Sequence, residues 1–171
     1  MIGTKFYKPI EDWTEYTEAA NWCNKNNSTI EDKGDYYEVV PIPEPSFEEL
    51  KEMKLNGLSS SFETRVSGST DIVVDDVTYK MQFNRADSLA VQGLIELMEA
   101  TDQTTGYLTQ SDDTTVYDIP LSTIKKILIG MLSKYAQCHS LKQQYRVKIN
   151  DCTTIEELDS IVFEWDPIES E

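Results

Sequence analysis

The segment from Ile119 to Asn150 constrains the fold of this chain more than any other feature. It contains six basic residues and no acidic residue, in a protein of 171 residues with a formal net charge of -16. Alternating steps of four and three residues along it give a seam that is apolar except for one lysine. The seam consists of Ile124, Leu128, Met131, Tyr135, Cys138, Lys142, Tyr145 and Ile149. This heptad spacing predicts one long amphipathic helix over about 122–150.

Three interpretations of this helix follow from the sequence. As a core helix, it would bury the seam and pair its basic residues with the chain's own carboxylates. As the interface of a homo-oligomer, it would bury the seam against copies of itself, and Lys142 would set the register. As a docking surface, it would meet an acidic partner. The 31 acidic residues of the chain, against 15 basic ones, favour the first interpretation.

The same charge balance argues against nucleic acids and membranes as partners. A strongly negative surface repels phosphates and anionic lipids. No stretch approaches the ~18 apolar residues of a membrane span, and the N-terminus lacks the apolar region of a signal peptide. Cys23, Cys138 and Cys152 are odd in number and lack CxxC spacing. We therefore expect no disulfide framework and a reducing compartment during folding.

The first segment, 1–43, is predicted to be a small module of one helix and one β-hairpin. Asp12 and Glu15 resemble a capping box that starts a helix over about 13–26. Two β-rich runs follow, and Gly34 lies in the turn between them. Such a unit is only marginally stable alone, so we expect it to pack against a neighbouring module.

A proline-rich connector follows this module. Pro41, Pro43 and Pro45 cannot lie inside a helix or a central strand, so they indicate a module boundary. The segment 44–68 is predicted to contain this connector and a helix. Because Gly57 weakens the middle of that helix, we expect it to be bent or in two pieces.

The segment 69–165 carries the signals of an α+β domain. A β-hairpin with a two-residue turn at Asp75-Asp76 is followed by a helix that Asn84 caps. The apolar face of this helix is predicted to consist of Leu89, Leu94, Ile95 and Met98. A second short hairpin and the long helix come next, and Thr154 with Glu157 opens a last short helix.

The predicted fold class is therefore α+β. Short β-hairpins are segregated among helices, one long helix occupies the C-terminal half, and a small helix-plus-hairpin module precedes them. The last residues, 166–171, are expected to form an acidic tail.

The order of these elements resembles a C-terminal domain found in bacteriophage tail and tail-fibre-associated proteins. Three stretches carry the resemblance, which covers about 70–165. They are Phe83-Asn-Arg-Ala-Asp-Ser88 at the helix start, Val116-Tyr-Asp-Ile-Pro-Leu121 at the hairpin end, and Ile149-Asn-Asp-Cys-Thr-Thr-Ile-Glu-Glu-Leu158. One departure lies in the hairpin, where relatives often have a Trp followed by Asp-Asn and this chain has Tyr107 and Asp112-Asp113.

The resemblance implies a role in the virion or in its assembly. The family has no established enzymatic activity, so the expected function is that of a structural protein of the tail, baseplate or fibre attachment. Its partners would be other phage structural proteins, and its location the virion and, during assembly, the host cytoplasm. Two alternatives remain: a tail-fibre assembly chaperone that leaves before maturation, and an acidic DNA mimic that inhibits a host protein.

No motif of the sequence indicates catalysis, a cofactor site or a metal site. His139 is the only histidine, so a Ser or Cys nucleophile lacks an obvious base, and no phosphate-binding or dinucleotide-binding glycine motif is present. We therefore expect a non-enzymatic protein without cofactor or metal. The candidate interaction residues are Trp13, Trp22, Tyr36, Tyr37, Lys142 and Tyr145.

Overall fold

Twelve helices and strands form within residues 1–165, the part of the chain that this computed structural model describes. In chain order they are β1 (Lys5–Tyr7), α1 (Trp13–Cys23), β2 (Ser28–Asp32), β3 (Tyr36–Pro41), α2 (Phe47–Ser67), β4 (Ser69–Val74), β5 (Val77–Gln82), α3 (Arg85–Ala100), β6 (Thr105–Thr109), β7 (Thr115–Pro120), α4 (Leu121–Asp151) and α5 (Ile155–Asp159). The expected α+β class, with short antiparallel hairpins among helices and one long helix, is confirmed. The predicted acidic tail, 166–171, lies outside the described residues.

The chain divides into two units, Met1–Ser46 and a second that begins at Phe47. In the first, three antiparallel strands have the order β1-β3-β2. Its small core contains Phe6 and Val39 from the sheet and Ala19 and Cys23 from α1. The first unit therefore buries a core of its own beneath one helix.

The first unit differs from the sequence expectation in two ways. A third strand, β1, pairs with β3 beside the predicted hairpin. The helix α1 begins after Asp12, whose carboxylate accepts hydrogen bonds from the amides of Thr14 and Glu15, but it ends at Cys23 rather than near residue 26. Turn residues follow, and Asn27 has a φ of 46°, which a helix cannot contain.

In the second unit, α2 is one continuous helix, and the expectation of two pieces is wrong. Leu58, Phe62 and Val66 are buried along it, and the helix packs against α4. Burial of this face outweighs the weak helix propensity around Gly57. The helix therefore belongs to the second unit, although the sequence grouped it with the proline-rich connector.

The long helix α4 is the element on which the second unit is built. It packs against α2, α3 and both hairpins, β4–β5 and β6–β7. Ile124, Ile127, Met131 and Ile149 are fully buried along its length. At its C-terminal end, the ammonium of Lys51 donates to the carbonyls of the last turn, which helices leave without internal partners.

The predicted turns and caps are present where local chemistry specified them. Asp75 and Asp76 form the two-residue turn between β4 and β5, with φ of 50° and 64°. Positive φ at both positions suits the right-handed twist of a hairpin, and Asp tolerates this conformation. Thr154 and Glu157 form the predicted capping box of α5.

Two of the helical glycines, Gly57 and Gly130, lead to opposite predictions for alanine substitution. A Cβ at Gly130 would lie 2.6 Å from Cγ2 of Ile72, whereas nothing lies within 4 Å of a Cβ at Gly57. We expect Gly57→Ala to raise the free energy of unfolding by about 1 kcal/mol. Gly130→Ala should lower it by about 1–3 kcal/mol, because the clash overpacks the core. Urea denaturation measures both, and equal effects would contradict this account of α4 packing.

The capping carboxylate of Glu157 predicts a pH dependence. The backbone amides of Thr153 and Thr154 donate to it and lower the pKa of Glu157 below its usual 4.5. Its contribution to stability should be complete above the unfolded-state pKa and should disappear as the pH falls through the folded-state pKa. The difference in free energy of unfolding between the wild type and Glu157→Gln should therefore be smaller at about pH 3 than at about pH 5, because Glu titrates in this range. A loss that is the same at both pH values would refute the assignment.

Candidate interaction surfaces

The aromatic candidates of the first unit are only partly on its surface. Trp13 is 63% exposed in the first turn of α1, and its ring contacts that of Tyr16. Tyr16 also contacts Phe6 and Tyr37, and these rings belong to the small core or pack against it. Trp22 is half-buried against the same core. Trp13 is therefore available to a partner, and Trp22 mainly stabilises the unit.

Tyr36 and Tyr37 point to opposite faces of β3. Tyr37 packs towards α1, and the ammonium of Lys8 lies 4.4 Å from its ring centre. Tyr36 lies on the outer face, where its ring is 5.6 Å from that of Tyr7. Lys5 donates to the Tyr36 hydroxyl, which raises the pKa of Lys5. Tyr7, 66% exposed, could not be selected from the sequence because β1 was not expected.

An ion pair between Lys8 and Asp32 lies next to these aromatic residues. Lys8 donates to both carboxylate oxygens of Asp32, at 2.7 and 2.8 Å. This bond raises the pKa of Lys8 and lowers the pKa of Asp32, which also accepts from the amide of Gly34. Both partners are solvent-exposed, so the pair positions the aromatic residues more than it stabilises the fold.

Lys142 and Tyr145 are half-buried and contact other residues of the second unit. The ammonium of Lys142 is 4.4 Å from the ring centre of Phe62 on α2. The Tyr145 hydroxyl accepts from the amide of Glu164 and donates to its carbonyl, while its ring packs on Trp165. The seam of α4 is thus occupied by the chain itself. A homo-oligomer through 122–150 stays a prediction and would have to use another face of the helix.

Two lysines of α4 pair with acidic residues of other elements in the same unit. Lys125 is 2.6 Å from Glu99 on α3, and Lys126 is 2.7 Å from Asp75 in the β4–β5 turn. These pairs agree with the interpretation of α4 as a core helix whose charge is met by the chain's own carboxylates.

The outer face of α3 is apolar and exposed, which the sequence reading missed. Its buried side consists of Val91, Ile95 and Met98, with Ser88 in the first turn. Leu89, predicted for the buried side, is instead 55% exposed, and Leu97 is 58% exposed. We define the outer face as Ala86, Leu89, Ala90, Gly93 and Leu97, all exposed. The signal was present: no charged residue lies between Asp87 and Glu96.

A groove borders this face on the side of the second hairpin. The α3–β6 groove, between β5, α3 and β6, has a volume of about 360 Å³. Its apolar lining is Met81, Ala90, Val91, Leu94, Tyr107 and Leu108, and its polar lining includes Asp87, Gln110 and Asp113. The Oδ2 atom of Asp87 is buried and has no hydrogen-bond partner among the described residues. The lining of this groove therefore combines apolar side chains with two carboxylates.

A second groove borders the outer face on the side of α4. It has a volume of about 310 Å³ and is lined by Leu89 and Leu132 with the ring of Tyr135. Ser88, which is 5% exposed, lines it too, and its hydroxyl has no hydrogen-bond partner within residues 1–165. The outer face of α3 therefore lies between two grooves, each with one unpaired buried polar atom.

The described part of the chain contains no group of three or more His, Cys, Asp or Glu residues placed to hold a metal ion. His139 is exposed, and its ring contacts those of Phe62 and Tyr135. Within the same residues, no helix is both long and apolar enough to span a bilayer. Comparisons with protein-family models, curated proteins and solved structures found no match to this chain.

Neighbouring substitutions on α3 test whether the outer face is a free surface. Leu97 is 58% exposed and Met98 is fully buried. We expect Leu97→Gln to change the free energy of unfolding by less than about 0.5 kcal/mol. Met98→Gln should lower it by at least about 2 kcal/mol, because it loses core packing and buries an amide. Comparable losses in urea denaturation would mean that Leu97 packs within the fold.

Proposed function

We propose that this chain is a non-enzymatic structural protein of a bacteriophage virion that acts through protein–protein contacts. It would belong to the tail, the baseplate or the fibre attachment. The first unit would offer the exposed aromatic residues Trp13 and Tyr7, with the half-buried Tyr36, to one partner. The second unit would offer the outer face of α3 to another.

The observation that carries the proposal is the apolar outer face of α3. A helix that is apolar on both sides is normally covered on both sides. Complete burial of a leucine side chain is worth about 1.5–3 kcal/mol, and Leu89 and Leu97 each leave more than half of that surface in water. Contiguous exposed apolar surface of this kind marks contact sites for other proteins. A protein partner that covers the face would recover the missing burial.

The charge of the chain supports a protein partner over a nucleic acid. Residues 1–46 contain four basic and nine acidic residues, and the remainder contains 11 and 22. Both units are therefore negative, and phosphate backbones would be repelled from either. The resemblance of about 70–165 to phage tail-associated domains supplies the setting in which such contacts would be made.

Mass spectrometry of purified virions tests this function. We expect to find the chain in virions of the phage that encodes it, at a fixed copy number relative to the known tail proteins. Absence from virions, with presence in infected cells, would instead support the assembly chaperone. Salt-sensitive capture of one host DNA-binding protein, without phage proteins, would support the DNA mimic.

A variant pair links the test to the surface. Replacing Leu89 and Leu97 by Gln should lower the copy number in virions at least about tenfold, because roughly 1.4 kcal/mol of lost contact energy has that effect. Ile129→Gln is the control, since Ile129 is an apolar residue of α4, 66% exposed, that lines neither groove. Equal incorporation of both variants would remove the outer face of α3 from the proposed function.

A further inference from the structure

The α3–β6 groove contains two carboxylates, Asp87 and Asp113, whereas the outer face of α3 is apolar. We propose that this groove receives an arginine side chain of the partner protein. The inference rests on the proposed function for the existence of that partner, but the groove can be tested without it.

The volume and lining of the groove suit one long side chain. Its volume of about 360 Å³ is at the low end of the roughly 300–1,000 Å³ of ligand pockets. Met81, Val91, Leu94 and Leu108 provide apolar contacts in it. An aliphatic stem buries well against such walls, while a charged head group can meet the carboxylates of the lining.

The charged groups of the lining favour a cation. Asp87 and Asp113 both line the groove, and Asp87 is half-buried, with no hydrogen-bond partner for its Oδ2 in the described chain. A donor that enters the groove would give the Asp87 carboxylate a partner. Asp87 is in the first turn of α3, whose N-terminus carries about half a positive charge. The full charge of the carboxylate exceeds that half charge, so the site remains attractive to cations.

Arginine fits this lining better than lysine. Its planar guanidinium has five donors in a fork that matches a carboxylate with two parallel hydrogen bonds. It also stacks on aromatic rings, and the exposed ring of Tyr107 lines the groove. An ammonium can also lie over a ring, but it lacks the planar fork and the stacking surface of a guanidinium.

The outer face of α3 indicates which residues of the partner lie next to the arginine. Ala90 belongs to both the groove and the face, so the two surfaces are continuous. Nothing lies within 4 Å of a Cβ at Gly93, so a partner backbone can approach the helix closely there. We infer a partner segment in which an arginine is flanked by apolar side chains. A second copy of this chain is disfavoured because its own surface is negative.

Small-molecule probes test the groove on the intact chain. N-acetyl-arginine methylamide is titrated into the labelled protein and followed by amide chemical shifts, with the uncharged citrulline analogue as its isosteric control. We expect shifts centred on residues 87–94 and 107–113, and at least about tenfold weaker binding of the citrulline analogue. Equal binding of the two would overturn the proposal, as would shifts elsewhere or none at saturating probe. Equal binding of the lysine analogue would overturn the choice of arginine.

Matched variants test whether the carboxylates are responsible for binding of the arginine probe. Asp87→Asn should weaken binding of the arginine probe at least about tenfold. Asp113→Asn should weaken it too, and it cannot disturb the fold through its backbone, since Asn adopts the φ of 63° found there. Asp76→Asn removes the same charge from a turn outside the groove and should leave binding unchanged. If all three variants bind alike, the groove does not recognise a cation.

The two proposals can fail separately. Probe binding does not depend on the virion, so a chain absent from particles could still bind arginine through Asp87. A chain present in particles but indifferent to the arginine probe would keep its structural role and lose this recognition site.

Discussion

Burial of the α4 seam is the constraint on which the second unit depends. Ile124, Met131 and Ile149 are completely buried along a helix of 31 residues, and α2, α3 and two hairpins all pack against it. Two of its lysines, Lys125 and Lys126, pair with Glu99 of α3 and Asp75 of the β4–β5 turn. The basic character of the helix therefore also links neighbouring elements to it, through exposed ion pairs that each contribute little to stability.

The seam of α4 is covered by the elements packed on it, so it is not the surface that a partner would meet. Exposed apolar side chains occur on several of these elements, among them Val73 and Val77 of the β4–β5 hairpin. On α3, Ile95 and Met98 are buried on the inner side, while Leu89 and Leu97 are exposed on the outer face. The packing of α3 on α4 therefore determines which side of α3 is uncovered.

The sequence predicted those features that local chemistry determines. The Asp75-Asp76 turn and the Thr154 capping box depend on residues within a few positions of each other, and both are present. The strand β1 and the continuity of α2 depend on distant partners, β3 and α4, which no local pattern contains. The same limit applies to the surface: a periodic pattern placed Leu89 on the buried side, but only the direction from which α4 approaches decides this.

The net charge of -16 and the apolar outer face of α3 are physically connected. An exposed apolar face promotes self-association, and like charge on every copy opposes it. The same field would attract a partner whose rim is basic, so affinity for that partner and resistance to self-association would come from one set of carboxylates. Within this set, Asp87 is half-buried and one of its oxygens is buried without a partner. A diffuse negative surface would bring a basic protein near, whereas a half-buried carboxylate that lines an apolar groove would determine which side chain binds.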